Sequence, residues 1–463
     1  MNQYEYRDPT RFTFTEYVDQ TTLNPIAVGI LIAIVSLFFF VERRYWFFLA
    51  ALLVCTTGPA QRIVLAGLDF PFMRIIGLVG IGIAYMRGEF KSFTWSRLDT
   101  LVIGFALVYS LMAAVRGQAN TVVMTLGQGT DAVSIYLLGR VAVKNLEDLY
   151  AVAKSLALLA IPFAVFLVIE KMTSRNFFSV MGGLPEFTAE RAGKLRAQGA
   201  FAHPVIAGCW FAAAVPLIAV LFKTAKSGGM NILIAVTGII LSVASVIATA
   251  SSTPIASLLA GIFGLCIYSL RSHVRMAFKV GVVLALIMHF VSEYGFHHLL
   301  YTRFSFVTGS TGYFRYRLVD AAIEQFPSWF LFGSNGTYHW GWGLDDVTHE
   351  FILAGVKGGL LGILTLIAIL ATSFRQVGVL VRSARPELSW AGFCIGVSIF
   401  THIASFNGTS YFGQGIFIFY FTLGALQSLA AGSILEAKAA MPGVKPASGS
   451  RRSPAKLQRI RPA

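Results

Sequence analysis

The sequence predicts an all-α fold: a polytopic helical membrane protein of about twelve to thirteen transmembrane helices with two longer extracytoplasmic loops. Three observations carry that reading. Apolar stretches of roughly 18 or more residues recur along most of the chain, and each is long enough to cross a bilayer as a helix. The composition is 56% hydrophobic and 13% charged, with a mean hydropathy of +0.69, a balance soluble domains rarely reach. Lysine and arginine recur in every second connection, as the positive-inside rule requires of cytoplasmic loops. A helix satisfies its own backbone in hydrocarbon and an open strand does not, so the spans are read as helices.

In chain order, residues 1–24 form a polar leader, with Arg7 and Arg11 set against Glu5, Asp8, Glu16 and Asp19. No small-residue cleavage site follows the first apolar stretch, so a cleaved signal is not expected. A transmembrane domain follows over 25–434. Its spans are read at Pro25–Val41, Tyr45–Thr57 (short), Phe72–Met86, Leu98–Val115 and Thr121–Gly139. The last of these is weak, because it holds Gln128 and Asp131. The series continues with Leu149–Glu170, Ala202–Phe222, Asn231–Thr249, Pro254–Leu270, Met276–Phe290, Phe351–Thr372, Leu388–Ser405 and Phe412–Ala431. Residues 435–463 form a basic tail rich in Pro, Ser and Ala, expected to be disordered and cytoplasmic.

Counting back from that tail places Arg43/Arg44, Arg87/Lys91/Arg97, Arg140/Lys144, Lys223/Lys226, Arg271/Arg275 and Arg375/Arg382/Arg385 on the same, cytoplasmic side. The net charge of +15 is thus spread over loops and a tail. That is the pattern of membrane topology, and it argues against nucleic acid as a partner. Cys55, Cys209, Cys266 and Cys394 all fall in apolar spans, match no metal spacing and read as buried small hydrophobes without disulfide partners.

Basic residues on the other side concentrate in the two longest loops, about 171–201 and 291–348. The first holds Lys171, Arg175, Arg191, Lys194 and Arg196; the second holds Arg303, Arg315 and Arg317. Long loops escape the charge rule, so topology alone permits this. The other reading is an outward-facing anion site. Arg196 stands just before Gly199, His203 and Pro204, which can open a helix at its first turn. A guanidinium beside a helix N-terminus suits an anion, and Gly199 would let backbone approach a ligand closely. His203 would line that site or sit at the interface.

In the second loop Leu318, Ala321, Ala322 and Gln325–Phe326 keep a helical period, with Arg317, Asp320 and Glu324 on one stripe and Pro327 at its end. Trp329, Tyr338, Trp340 and Trp342 follow among glycines, as membrane anchors or as sugar-stacking faces. His349 and Glu350 then open the next span, which carries Gly355, Gly358, Gly359 and Gly362. The Gly359-x-x-Gly362 pair is expected to permit close helix packing. An imidazole at the outer mouth of a span, near loop arginines, can take a proton from a hydroxyl.

At these residues the sequence resembles the O-antigen ligase/polymerase family, bacterial inner-membrane glycosyltransferases that use undecaprenyl-diphosphate-linked glycans. Three patches carry the resemblance: Arg196-x-x-Gly199-x-Phe201-x-His203-Pro204 with Gly208 and Pro216; Tyr316-Arg317-Leu318 through Pro327 and Gly333; and His349 with Gly359-x-x-Gly362. Gly139-Arg140 with Leu146-Glu147-Asp148 is a weaker echo. The likeness covers about residues 135–372. It departs at Glu350, where the ligase pattern has a small polar residue, and the interval to the GxxG is one residue shorter. Either Arg315 or Arg317 occupies the second arginine position.

The resemblance implies a metal-independent enzyme without a cofactor, acting at the periplasmic face of the inner membrane. Arg196, Arg317 and His349 would be catalytic. Arg315, Arg303, Arg191, Gly199, His203 and Glu350 would bind substrate. Arginines would hold the lipid diphosphate as a leaving group, and His349 would deprotonate or orient an acceptor hydroxyl. The implied partners are the lipid-linked glycan donor, a glycan acceptor, the bilayer, and polysaccharide export or chain-length proteins. Polymerisation of repeat units is the first expectation. Ligation to lipid A–core is the second, and a transporter or lipid-linked-sugar flippase is the alternative from another class.

Overall fold

The structure is a computed structural model that describes residues 20–224, 229–292, 295–303 and 312–439. The leader up to residue 19, the tail from residue 440, and Lys226 fall outside the described residues. Each of the thirteen expected spans is a helix. In order they are α1 (Pro25–Phe40), α2 (Trp46–Thr56), α3 (Phe72–Met86), α4 (Arg97–Val115), α5 (Ala119–Ala142), α6 (Leu146–Thr173), α7 (Pro204–Ile218), α8 (Gly229–Ala248), α9 (Ser252–Cys266) and α10 (Val274–Val291). Three short helices come next, α11 (Gly295–Arg303), α12 (Gly312–Glu324) and α13 (Phe326–Trp329). The last three spans are α14 (Glu350–Val381), α15 (Pro386–Phe406) and α16 (Gln414–Ala439). Among the described residues eight helices are long and apolar enough to cross a membrane, and three shorter apolar helices, at residues 25–40, 72–86 and 276–291, accompany them. The chain is a multi-pass helical membrane protein.

Two antiparallel hairpins interrupt the helices: β1 (Arg62–Leu65) with β2 (Leu68–Pro71), and β3 (Ala189–Arg191) with β4 (Lys194–Arg196). Both turn on an Ala-Gly pair with positive φ at both residues, at Ala66–Gly67 and Ala192–Gly193. That is the two-residue turn whose twist matches paired strands. The second hairpin replaces the plain loop expected before Gly199.

Successive spans alternate in direction, so the connections gather at two ends. At one end Asn24 donates to the Val180 carbonyl, Gln61 to that of Met181, and Asn176 to that of Gly199. Arg116 there donates to the carbonyls of Phe332 and Lys357. The opposite end holds most of the ion pairs: Arg43–Asp148 at 2.8 Å, Lys144–Glu89 at 2.6 Å and Arg140–Asp99 at 3.0 Å. Tyr136 also donates to Asp99. Nearer the first end, α3 and α5 share a pair, Arg74 with Asp131 at 2.7 Å, and Gln128 accepts from Lys357 of α14 at 3.0 Å, which together account for the two polar residues that weakened the reading of α5.

α7 is the central element. With the turn that extends it to Lys223, its apolar stretch is 94% buried, enclosed by α6, α8, α9, α15 and α16. Small residues, Ala212–Ala214 and Gly208, let those helices approach. α10 stands apart: no residue of it whose burial is described is buried, and apolar side chains face outward all round it.

α14 differs from its expectation. It is broken at Gly359, which takes φ 60° and ψ −160° in the middle of the helix. The chain from Phe330 to Ser334 docks at the break. Leu360 N–H donates to the Phe330 carbonyl at 2.6 Å, and Ser334 N–H donates to the Val356 carbonyl at 2.7 Å. A Cβ at Gly359 would collide with the Leu331 carbonyl. Gly359 therefore admits loop backbone into the helix, while Gly358 and Gly362 lie against Tyr109 of α4, the close helix packing expected of this stretch. Freed helix carbonyls and amides in an apolar medium need such partners.

Candidate functional site

Three of the helices begin at the loop-rich end on residues that meet there. His203 is the N-cap of α7, Ser251 of α9 and His349 of α14. A helix N-terminus leaves amide groups unpaired and carries the positive end of the helix dipole. Guanidiniums from two separate segments join these termini.

Arg196 arrives on β4. Ala197 N–H bonds to the Ala248 carbonyl, which fixes the strand end beside the α8–α9 turn. Arg196 Nη2 then donates to Ser251 Oγ at 2.9 Å, while its Nε is buried without a hydrogen-bond partner. The residue is 7% exposed. Arg315 arrives on α12. Its Nη2 donates to Thr253 Oγ1 at 3.0 Å and its Nε to the Gly408 carbonyl at 3.1 Å. Ser251 and Thr253, two residues apart, thus bracket the site. Arg191, on β3, is close enough to both for its charge to be felt.

No carboxylate lies within ion-pair distance of these three arginines among the described residues. Burial, and then the charges of Arg191 and Arg315, bring Arg196 down to about 10, still a cation at neutral pH. Burial also holds Arg191 and Arg315 below the usual arginine value. The nearby carboxylate of Glu170 is committed elsewhere: it accepts Gln198 N–H at 3.0 Å and Gly199 N–H at 2.8 Å. Arg196 is buried, Arg315 half-buried and Arg191 exposed at the mouth, and a buried cation without a charged partner is costly, so the arrangement is suited to an anion that completes it.

Both histidines work as caps. His203 Nδ1 accepts Val205 N–H at 3.1 Å, and His349 Nδ1 accepts Ile352 N–H at 3.4 Å. An accepting Nδ1 leaves the proton on Nε2. Burial first, and then Arg196 and Arg191, lower His203 to about 3. Burial and then Arg315 lower His349 to about 4, with Asn407 in hydrogen-bonding reach opposing the shift. Both rings are neutral donors at pH 7. Tyr301 on α11 packs edge-on against His349 at 6.5 Å between ring centroids, and burial pushes its hydroxyl up to about 12.

The structure brings together Arg191, Arg196, Arg315, His203 and His349, five of the residues singled out in the sequence. Arg317 goes elsewhere. Two residues along a helix turn it by about 200° from Arg315. Its guanidinium reaches Gly341, in the lobe built on Leu318, Trp329, Trp340 and Leu344. Asp320 pairs with His297 at 2.7 Å. Gly199 has φ +60° and packs on Leu167 and Phe178, with its amide taken by Glu170, so it shapes the turn and offers no amide to a ligand. Arg303 ends α11, and its side chain lies outside the described residues. Glu350 Oε2 accepts Tyr411 N–H at 2.7 Å.

Sequence reasoning missed Ser251, Thr253, Asn407 and Gly408. Their signals were present: a Ser-Ser-Thr-Pro run opening α9, and Asn-Gly-Thr-Ser between α15 and α16. It also missed Gln414, which pins that second turn to the chain after β4 by accepting Ala202 N–H and donating to the Ala200 carbonyl. Set against known proteins, the chain matches no family model and no curated protein.

Proposed function

We propose that this protein is a glycosyltransferase that moves a glycan from a polyprenyl diphosphate carrier onto an acceptor hydroxyl. On this reading it is a polymerase of undecaprenyl-diphosphate-linked repeat units for an exopolysaccharide or O-antigen, acting at the periplasmic face of a bacterial inner membrane. The observation that carries the reading is the convergence of Arg191, Arg196 and Arg315, without acidic partners among the described residues, on three helix N-termini at one end of a membrane bundle. A diphosphate is the leaving group such a site suits. Guanidiniums hold its oxygens bidentately, and their charge stabilises the electrons it takes as the glycosidic bond breaks. Its lipid tail accounts for placing the site at a membrane surface. His349, neutral and with Nε2–H to offer, orients a hydroxyl by donating to it.

A transporter would be expected to hold its charges along a mid-membrane path. The Arg74–Asp131 pair in this chain is mutually satisfied, Lys357 within α14 donates to Gln128, and the cluster of Arg191, Arg196 and Arg315 lies at the loop-rich end.

The test is a deletion strain complemented with variants. Loss of the protein should leave single repeat units on the carrier; long chains left on the carrier would identify a ligase to lipid A–core instead. Arg196→Ala and Arg315→Ala should each lower transfer by about 10²–10³-fold while protein still accumulates in the membrane. Arg317→Ala should cost much less, because that side chain points into the neighbouring lobe. Normal polymer from both Arg196→Ala and Arg315→Ala would overturn the proposal.

A further inference from the structure

A second polar site lies beside the arginine cluster, across the turn between α15 and α16. On one side of that turn the Gly408 carbonyl receives Arg315; on the other the Tyr411 amide donates to Glu350. Glu350 opens into a cavity of about 60 Å³ between α4, α5, α14 and α16. Lys357, two turns further along α14, faces the same cavity and donates to Gln128 Oε1 at 3.0 Å. No carboxylate lies within 4.0 Å of Lys357 among the described residues. Tyr109 lines the cavity too, and its hydroxyl is buried without a partner. Glu350 Oε1 accepts no hydrogen bond among the described residues.

The cavity therefore offers an acceptor (Glu350 Oε1), donors (Lys357 Nζ, Gln128 Nε2) and an unpaired phenol, on walls that include the rings of Phe105 and Phe419. An alkyl or polyprenyl chain is a poor occupant. It would leave a carboxylate and an ammonium buried in hydrocarbon, which costs several kcal/mol. A sugar ring fits that chemistry, with hydroxyls for the polar groups and C–H faces for the aromatic ones.

His349 sits between the two sites, and its Nδ1 is held by the Ile352 amide, so a proton leaving an acceptor hydroxyl must go elsewhere. We propose that this cavity is the subsite for the terminal sugar of the acceptor glycan, and that Glu350 takes the proton of the attacking hydroxyl. The inference rests on the glycosyltransferase reading above. In the step, the acceptor oxygen forms a bond to the anomeric carbon of the donor. The bond from that carbon to the diphosphate oxygen breaks, and its electron pair leaves with the polyprenyl diphosphate beside Arg196 and Arg315. The hydroxyl proton passes to the Glu350 carboxylate, which later returns it to water. Lys357, Gln128 and Tyr109 hold the sugar's other hydroxyls.

The experiment uses full-length protein in nanodiscs. The donor is the undecaprenyl-diphosphate-linked repeat unit extracted from cells lacking the protein, and the acceptor is the oligosaccharide released from that lipid by mild acid. Glu350→Gln keeps an oxygen for the Tyr411 amide, so the turn should hold. It should lower kcat by about 10²–10⁴-fold and remove the acidic limb of the pH–rate profile, with donor affinity unchanged. Groups facing Glu350 that also carry titratable protons are Lys357, Tyr109, Tyr411, Tyr420 and His349, so the profile is repeated in Lys357→Met. That variant, and Tyr109→Phe, should raise the acceptor KM by about tenfold and leave donor binding alone.

A Glu350→Gln enzyme within about threefold of wild type in kcat would overturn the proposal, as would a loss of donor affinity with an unchanged acceptor KM in the Lys357 and Tyr109 variants. Should Glu350→Gln fail to fold, the acceptor KM of those two variants decides. Wild-type protein that transfers nothing, and whose donor binding ignores Arg196→Ala, overturns the underlying function as well. Active wild type with unaffected cavity variants overturns only this assignment.

Discussion

His203 and His349 each contribute to the acid response of the protein. Each caps a helix with an unprotonated Nδ1, so adding a proton removes the cap and places a further cation among guanidiniums. Their folded values, about 3 and about 4, lie below the unfolded histidine value of about 6.5. Below that unfolded value these two rings bind protons in the unfolded chain that they refuse in the folded one, so the stability they contribute is full above pH ~6.5 and is lost as the pH drops toward ~4. Thermal unfolding in detergent should show that fall. His203→Asn, which keeps a cap acceptor but cannot titrate, should flatten it; a slope identical to wild type would sink the assignment. The same values bear on turnover: activity should show no ionisation near pH 6.5 traceable to His349. Chemistry at this scale was half legible in the sequence. The arginine-rich patch before Pro204 and the histidine opening a span could be read from residue type and position. The choice between Arg315 and Arg317 could not, since it depends on which way α12 is rolled, and that is set by Leu318 and Ala322 packing into a lobe whose partners lie further along the chain.

The elements carry the site by their ends. α7, α9 and α14 start at it, and α14 is in effect two helices, since Gly359 breaks it nine residues after its start. Only a residue without a Cβ accepts that φ together with the Leu331 carbonyl beside it. Gly359→Ala should therefore destabilise the protein by roughly 1–3 kcal/mol or more and displace the 330–334 segment, read as a lower Tm and faster proteolysis of the loop before α14. An unchanged Tm would show the break to be dispensable. The span pattern itself was plain from hydropathy, including the short α2 and the polar α5. The hairpins were not. Each turns on Ala-Gly where Asn-Gly or Asp-Gly is the usual signal, and each strand is only three or four residues long, too short for alternation to register.

Across the whole molecule, charge is sorted by partner. In the bundle Arg74 meets Asp131 and at its opposite end Arg140 meets Asp99; at the loop-rich end Arg191, Arg196 and Arg315 meet no carboxylate among the described residues. Removing one member of a buried pair strands the other. Asp131→Ala should cost about 3–5 kcal/mol, while Arg74→Met with Asp131→Leu should recover much of it. The measurement is the thermal midpoint of both variants in the same detergent; equal loss in both would mean the pair contributes nothing beyond its parts. The central helix α7 bears on where the cations can come from. During synthesis it is made before α8, α9, α14, α15 and α16, so it enters lipid with few of its eventual neighbours in place. A helix that must first survive in oil carries an unpaired guanidinium only at high cost, however near the finished site it lies. Those of the site are delivered instead by β3, β4 and α12, which lie outside the long apolar helices and fold back over the end of α7.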